Sequence, residues 1–394
     1  MKKLIMGLAL AANIGVLAQP TIEIGLLLDS SGSMGGLINK TRNTLWEVLN
    51  ILDEAKKDGE VPKVSLGLYS YGNGVNPDAK DEIVMISNLT SNLDELSNKF
   101  FELQASGSYE LAGATISQAV KNFSWSNDGD FKALFLAGNE TLMQGELTVE
   151  VAAKQAINGD IVLNTLYAQD SYTAVHTPIN TKLPSRAHIG GRISKIPTRG
   201  PVDYTDNIKE EWSNLAVISG GSFAQISNNE VLPHIETPYD KQLLDLDKKL
   251  NETFVYFGPY GKLTYDRMIN LDSQIGNSSG SAMVSRGRYK VGHGYNVSQW
   301  DLVDAYFNGK VKLSEVDMKT LKKELQGLNQ IELLVHLNEM KTLRDEIKEE
   351  TKLLYAKHKA YVDQKRKEMG KVTIEMVMIK SLKDQLVDKG FEFQ

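Results

Sequence analysis

The stretch Leu26-Leu27-Leu28-Asp29-Ser30-Ser31-Gly32-Ser33-Met34-Gly35-Gly36 decides how the chain is read. An apolar run that empties into polar, glycine-containing sequence reads as a buried strand ending in a loop. Asp29, Ser31 and Ser33 fall at i, i+2 and i+4, and a hard cation such as Mg²⁺ takes oxygen ligands of this kind. The same letters also suit a plain strand-to-helix turn with a serine N-cap. The surrounding chain has to weigh between the two.

Outward from this stretch, strand and helix patterns alternate. Residues 22–28 read as a strand and 37–55 as a helix with Leu37, Leu45, Val48, Leu49 and Leu52 near one face. Residues 64–71 alternate as a strand, and 93–103 and 111–123 look helical. The runs 131–137 and 161–167 are short and apolar, with a short helix over 149–157 between them. An amphipathic segment over 208–218, an edge strand over 222–226 and a helix over 241–254 follow. Short apolar strands between helices predict an α/β fold, a doubly wound, mostly parallel central sheet covered on both faces. Such sheets bind ligands at the carboxyl ends of their strands, which is where Asp29 stands.

Two stretches break the alternation. Residues 171–202 hold Pro178, Pro184, Pro197 and Pro201 together with Lys182, Arg186, Arg192, Lys195 and Arg199, and no acid. A loop that long is functional, disordered or a solvated insertion; at a strand's carboxyl end it would share the face of Asp29. Residues 276–294 are Gly/Ser-rich and read as a linker within 258–313. A short helix closed by Gly309 comes next, and from 314 to 394 the chain is charged and helical. There Leu333, Met340, Ile347, Leu354 and Tyr361 recur every seven residues, while the companion row Leu337, Arg344, Thr351, His358 and Lys365 is apolar once. One good row suits a weak coiled coil, a helix packed along the sheet domain or an antiparallel hairpin.

The bulk numbers set outer limits. The chain has 394 residues, 41% hydrophobic and 24% charged, as a folded protein of one large domain with an appendage, or of two domains, would have. A formal charge of −6 argues against a nucleic-acid binder driven by bulk charge. With no cysteine, disulfides, thiolate nucleophiles and Cys-based metal sites are excluded. Lys2 and Lys3 precede the apolar run Leu4 to Ala18, and small residues at 16 and 18 fit a signal-peptidase site. Residues 1–18 therefore read as a secretory signal, with an N-terminal anchor or a buried strand as alternatives. The mature chain is expected in the periplasm, at the cell surface or secreted, without a stable transmembrane segment.

The opening motif and the amphipathic helix after it resemble von Willebrand factor A-type domains over residues 21–257. The stretches 134–145, 220–226, 246–258 and 298–313, with the tail ending KGFEFQ, resemble exported bacterial proteins that carry one such domain and a charged helical tail. The resemblance implies a Rossmann-like fold and a metal-ion-dependent adhesion site. Its Asp-x-Ser-x-Ser element falls on Asp29, Ser31 and Ser33. Two hydroxyls and a carboxylate would hold Mg²⁺, or Mn²⁺ or Ca²⁺, and leave one position for a partner's carboxylate. The second element departs from the pattern: Gly107-Ser108-Tyr109-Glu110 stands where relatives carry Gly-Gly-Asp-Glu, so Ser108, Glu110 and Thr115 are the candidates. The third departs too, because Gly138 has no ligating side chain and Asn139 or Glu140 would stand in.

Catalytic patterns are missing. There is no GxxxxGK or HExxH, Ser33 lacks the glycine of a nucleophile elbow, and the six histidines are scattered. The expectation is not an enzyme but an adhesion-type module binding an acidic group on a protein partner through a divalent ion. Alternatives are a metal-independent envelope scaffold that self-associates through its helical tail and an accessory subunit of a metal-dependent enzyme. The aromatics Tyr289, Tyr295, Trp300, Tyr306 and Phe307 suit either packing or a sugar or peptide site.

Overall fold

The computed structural model describes residues 19–73, 83–107, 109–127, 129–169, 204–227, 235–370 and 374–393. The signal segment 1–18, Ser108 and the basic loop 171–202 lie outside them. The elements are β1 (Thr21–Asp29), α1 (Gly35–Asp53), β2 (Ala55–Lys56), β3 (Lys63–Tyr71), β4 (Val84–Thr90), α2 (Leu93–Glu102), α3 (Ala112–Asn122) and β5 (Phe131–Gly138). They continue as α4 (Val149–Asn158), β6 (Val162–Gln169), α5 (Tyr204–Ile218), β7 (Phe223–Ser227), α6 (Asp240–Glu252), α7 (Gly261–Ser278) and α8 (Gly280–Lys290). The last are α9 (Leu302–Phe307), α10 (Gln330–Met369), α11 (Ile374–Asp388) and β8 (Glu392–Phe393).

Six strands form one sheet in the order β4-β3-β1-β5-β6-β7. β1 runs parallel to β3 and β5, β5 to β6, and β6 to β7; only β4 is antiparallel, at the edge. The sequence reading missed β4, a half-covered edge strand with a single buried residue in its middle. The continuous apolar letters of β1 and β5 serve two faces. Ile22, Ile24, Leu26 and Leu28 join Phe131, Ala133, Phe135 and Ala137 in one core with residues of α1, α2 and α11. Leu27, Leu134 and Leu136 point into the other, under Ile116 of α3, Ala152 and Ala156 of α4 and Trp212 of α5. Burial on both sides explains why these strands read as runs rather than alternations. β1 lies between β3 and β5, so the chain leaves it where the connections diverge to opposite sides, and that crevice holds the site described below.

The C-terminal part corrects one expectation and narrows another. The linker over 276–294 is largely helix: α7 runs to Ser278, and α8 buries Met283, Val284, Arg286, Tyr289 and Lys290. The long helix α10 starts with a capping box at Asn329 and Glu332 and stops at Gly370, whose φ of 63° suits glycine. Both of its heptad rows face this chain's own helices. Leu333, Ile347 and Leu354 are buried, and so are Leu337, Arg344, Thr351 and His358 of the row that looked polar. Arg344 donates to Asp301 Oδ2 at 2.7 Å, to Asp304 Oδ1 at 2.6 Å and to the Thr253 carbonyl at 2.7 Å. Of the aromatics in this region, the Tyr289 ring lies 5.5 Å from that of Trp46 and the Trp300 ring 5.4 Å from that of Phe254, whereas Phe307 is exposed.

The chain then returns to the sheet. Met378, Leu382, Leu386 and Phe391 complete the core on the α1 side. Gln385 of α11 donates to Asn164 Oδ1 of β6 at 2.7 Å. β8 pairs antiparallel with β2, Ala55 opposite Phe393. The sheet domain is thus closed by the chain's last helix, and 235–370 form a helical body between. Among the described residues no helix is long and apolar enough to cross a membrane.

Candidate metal and docking site

The site is built at the carboxyl end of β1. Asp29 is fully buried. Its Oδ1 accepts the Ser31 N–H at 2.8 Å, which folds the loop back over the strand end. Its Oδ2 is buried without a hydrogen-bond partner. Burial pushes the carboxyl up to about 7, and the negative charges of Glu110 and Glu140 push the same way, against the Ser31 hydrogen bonds. Leaving a buried acceptor unpaired costs about 1–3 kcal/mol, more when charged. The native fold tolerates that cost here.

Neighbouring loops hold Asp29 in place. Ser30, a position the motif leaves open, ties its loop to two others. Its N–H donates to the Tyr71 carbonyl at 2.7 Å, its hydroxyl lies 2.6 Å from that of Ser70, and its carbonyl accepts the Ser106 N–H at 2.6 Å. Gly72 follows β3 with a φ of 83°, and a Cβ there would come 2.5 Å from Asp29 Oδ1. Gly138 ends β5 with equally little room, since a Cβ would meet the Tyr71 hydroxyl at 2.7 Å and Asp29 Cβ at 3.1 Å. An acidic side chain has no space at 138.

The structure brings together several of the expected residues. Ser31 and Ser33 hydroxyls are 3.4 Å apart. Asn139 Nδ2 donates to Ser33 Oγ at 3.0 Å, and Asn139 Oδ1 is buried without a partner. Glu110 is buried just before α3, and its carboxylate accepts from Gln144 Nε2 at 2.8 Å and from the Ser31 side chain. Burial raises Glu110 too, Glu140 adds to the rise, and the Gln144 and Ser31 hydrogen bonds oppose it. Glu140 is exposed, and it acts on the other two acids through its charge. Thr115 is buried one turn into α3, where its hydroxyl donates to the Leu111 carbonyl at 2.9 Å. Sequence reasoning missed Ser30, Gly72, Tyr71 and Gln144. Gly72 aside, no local pattern marks them, because their partners lie far along the chain.

The donor set is oxygen throughout: an unpartnered carboxylate oxygen, an unpartnered amide oxygen, two hydroxyls and a second carboxylate. Such a set suits a hard divalent cation. It contains too few acids to form a cluster of three His, Cys, Asp or Glu, and no such cluster occurs among the described residues.

No family model matches the chain, and no curated protein is similar to it in sequence. Solved structures with similar folds include the conserved hypothetical protein BatB from Bacteroides thetaiotaomicron, at 16% identity over 53% of this chain and 91% of that one, TM-score 0.35. The SpRpn10 VWA domain is 12% identical over 54% and 91%, TM-score 0.33. A von Willebrand factor type A protein from Catenulispora acidiphila is 13% identical over 53% and 39%, TM-score 0.33. At these values the likenesses say nothing of activity, ligand or partner.

Proposed function

We propose that this von Willebrand factor A-like chain is an exported interaction module that captures an acidic group of a protein partner at a divalent cation held by Asp29, Ser31 and Ser33. The observation that carries the reading is the pair of buried, unpartnered acceptors, Asp29 Oδ2 and Asn139 Oδ1, beside two serine hydroxyls. A bound Mg²⁺ or Mn²⁺ supplies a positive charge and an open coordination position that a partner carboxylate can fill. Asp29 provides the anionic anchor, and its rigid loop fixes the direction of its free oxygen. Ser31 and Ser33 offer neutral oxygens, which leave the cation enough charge to attract an acid. Glu110 and Asn139 close the two sides. Export rests on Lys2, Lys3 and the apolar run to Ala18.

Calorimetric titration of Mg²⁺ and Mn²⁺ into the chain lacking residues 1–18 tests the reading, with Asp29→Ala as control. Uptake by the parent protein and at least a tenfold loss in the variant is the expected outcome. Equal heats in both proteins, or none in either, would sink it.

A further inference from the structure

Gln144 spends its whole side chain on one partner at the edge of this site. Its Oε1 accepts the Glu110 N–H at 3.1 Å, and its Nε2 donates to Glu110 Oε2 at 2.8 Å. A side-chain amide has one acceptor and one donor end, and here both close on the same residue across two loops. Such a two-point clamp fixes the main chain of Glu110 and the rotation of its carboxylate together.

The clamp has a firm base. Gln144 belongs to the loop 139–148, which is pinned to α5 at several atoms. Trp212 Nε1 donates to the Glu140 carbonyl at 2.9 Å. The Thr141 hydroxyl and the Leu142 N–H both donate to Glu211 Oε2 at 2.8 Å. Glu110, by contrast, lies on a connection between helices and feels the like charge of Glu140. Repulsion favours swinging its carboxylate outward to water. The Gln144 clamp opposes that swing and keeps the group inside, against Ser31 and opposite Asp29.

We infer that Gln144 is a positioning residue that holds Glu110 as the second carboxylate of the cation site. This rests on the cation reading proposed above. It extends that reading to a residue that touches no ligand itself. Groups that orient a ligand from behind change metal affinity by about 10–100-fold when removed.

The test is a double-mutant cycle read by Mg²⁺ and Mn²⁺ calorimetry on the whole chain. Gln144→Ala is expected to weaken uptake about tenfold, and Glu110→Ala at least as much. The double variant should be no weaker than Glu110→Ala alone, because Gln144 then has nothing left to position. A full additional loss from Gln144→Ala in the Glu110→Ala background would mean a general structural role and overturn the inference. Melting in chelator checks the fold, and Gln144→Met, which keeps volume and loses both hydrogen bonds, takes its place in the cycle if Gln144→Ala melts early. Unchanged affinity in the Gln144 variant, with uptake lost in Asp29→Ala, overturns the positioning role and leaves the site standing. No uptake by the parent protein overturns both.

Discussion

Two buried groups of charges in this molecule are treated in opposite ways. In the helical body Arg286, fully buried, donates to both oxygens of Asp94 at 2.6 and 2.9 Å and to Asp272 at 3.2 Å, and it lies over the Trp46 ring at 4.3 Å. Lys290, also buried, reaches Asp272 at 2.7 Å and Asp247 at 2.8 Å. Burial pushes Asp272 up, but Lys290 and Arg286 outweigh it and hold the carboxyl below its ordinary range. At the end of β1 the balance is reversed. Asp29 is as deeply buried, and the charges acting on it are those of Glu110 and Glu140. The first cluster meets three carboxylates with two cations of its own and serves the fold. At the second, acids act on one another, and this imbalance is what the proposed cation would relieve.

The largest effect should come from removing a cation from the first cluster. Arg286→Met leaves Asp94 and Asp272 buried with one cation fewer and should cost about 3–5 kcal/mol in urea unfolding. A loss well under 1 kcal/mol would mean that Lys290 alone neutralises the cluster.

Removing charge from the unbalanced site should do the reverse. In chelator, Asp29→Asn is expected to raise stability at pH 8 by up to about 4 kcal/mol, the free-energy equivalent of a carboxyl moved from 3.8 to about 7. The sign follows from proton counts. Between about pH 4 and 7 the native state keeps the Asp29 proton that the unfolded state has lost. Asp29's contribution therefore falls as pH rises through that window and is flat above it. Asp29→Asn should flatten this part of the stability curve; an unchanged slope would show that Asp29 is ionised in the native protein throughout. The smallest effect belongs to the surface. Lys241 pairs with Asp245 at 2.9 Å in the open, and Lys241→Ala should leave the melting temperature where it was. A clear drop would show that exposed pairs matter here and weaken the contrast drawn above.

The strand-to-loop transition at Asp29 was legible because it is local: apolar residues, an acid and hydroxyls follow one another. The helices of the sheet domain and its parallel strands were legible for the same reason. The Gly/Ser content of 276–294 misled, because small residues there admit close helix packing rather than flexibility. Gly287 is an example, where a Cβ would stand 3.3 Å from Asp247 Cβ. Arg344 and His358 stand in the heptad row that is apolar once, and nothing near them in sequence announces partners such as Asp301 and Asp240. Gln144 was invisible in the same way, being 34 residues from Glu110.

The pairing of β8 with β2 has a consequence in time. The partner of Ala55 is Phe393, and between them lies most of the chain. A ribosome adding about 5–20 residues per second reaches the second strand roughly 20–70 s after the first. Through that interval the part of the core beside α1 and β7 that Met378, Leu382, Leu386 and Phe391 complete stays open. The sheet domain therefore completes its core only after the helical body has been made, although most of its sequence is read early.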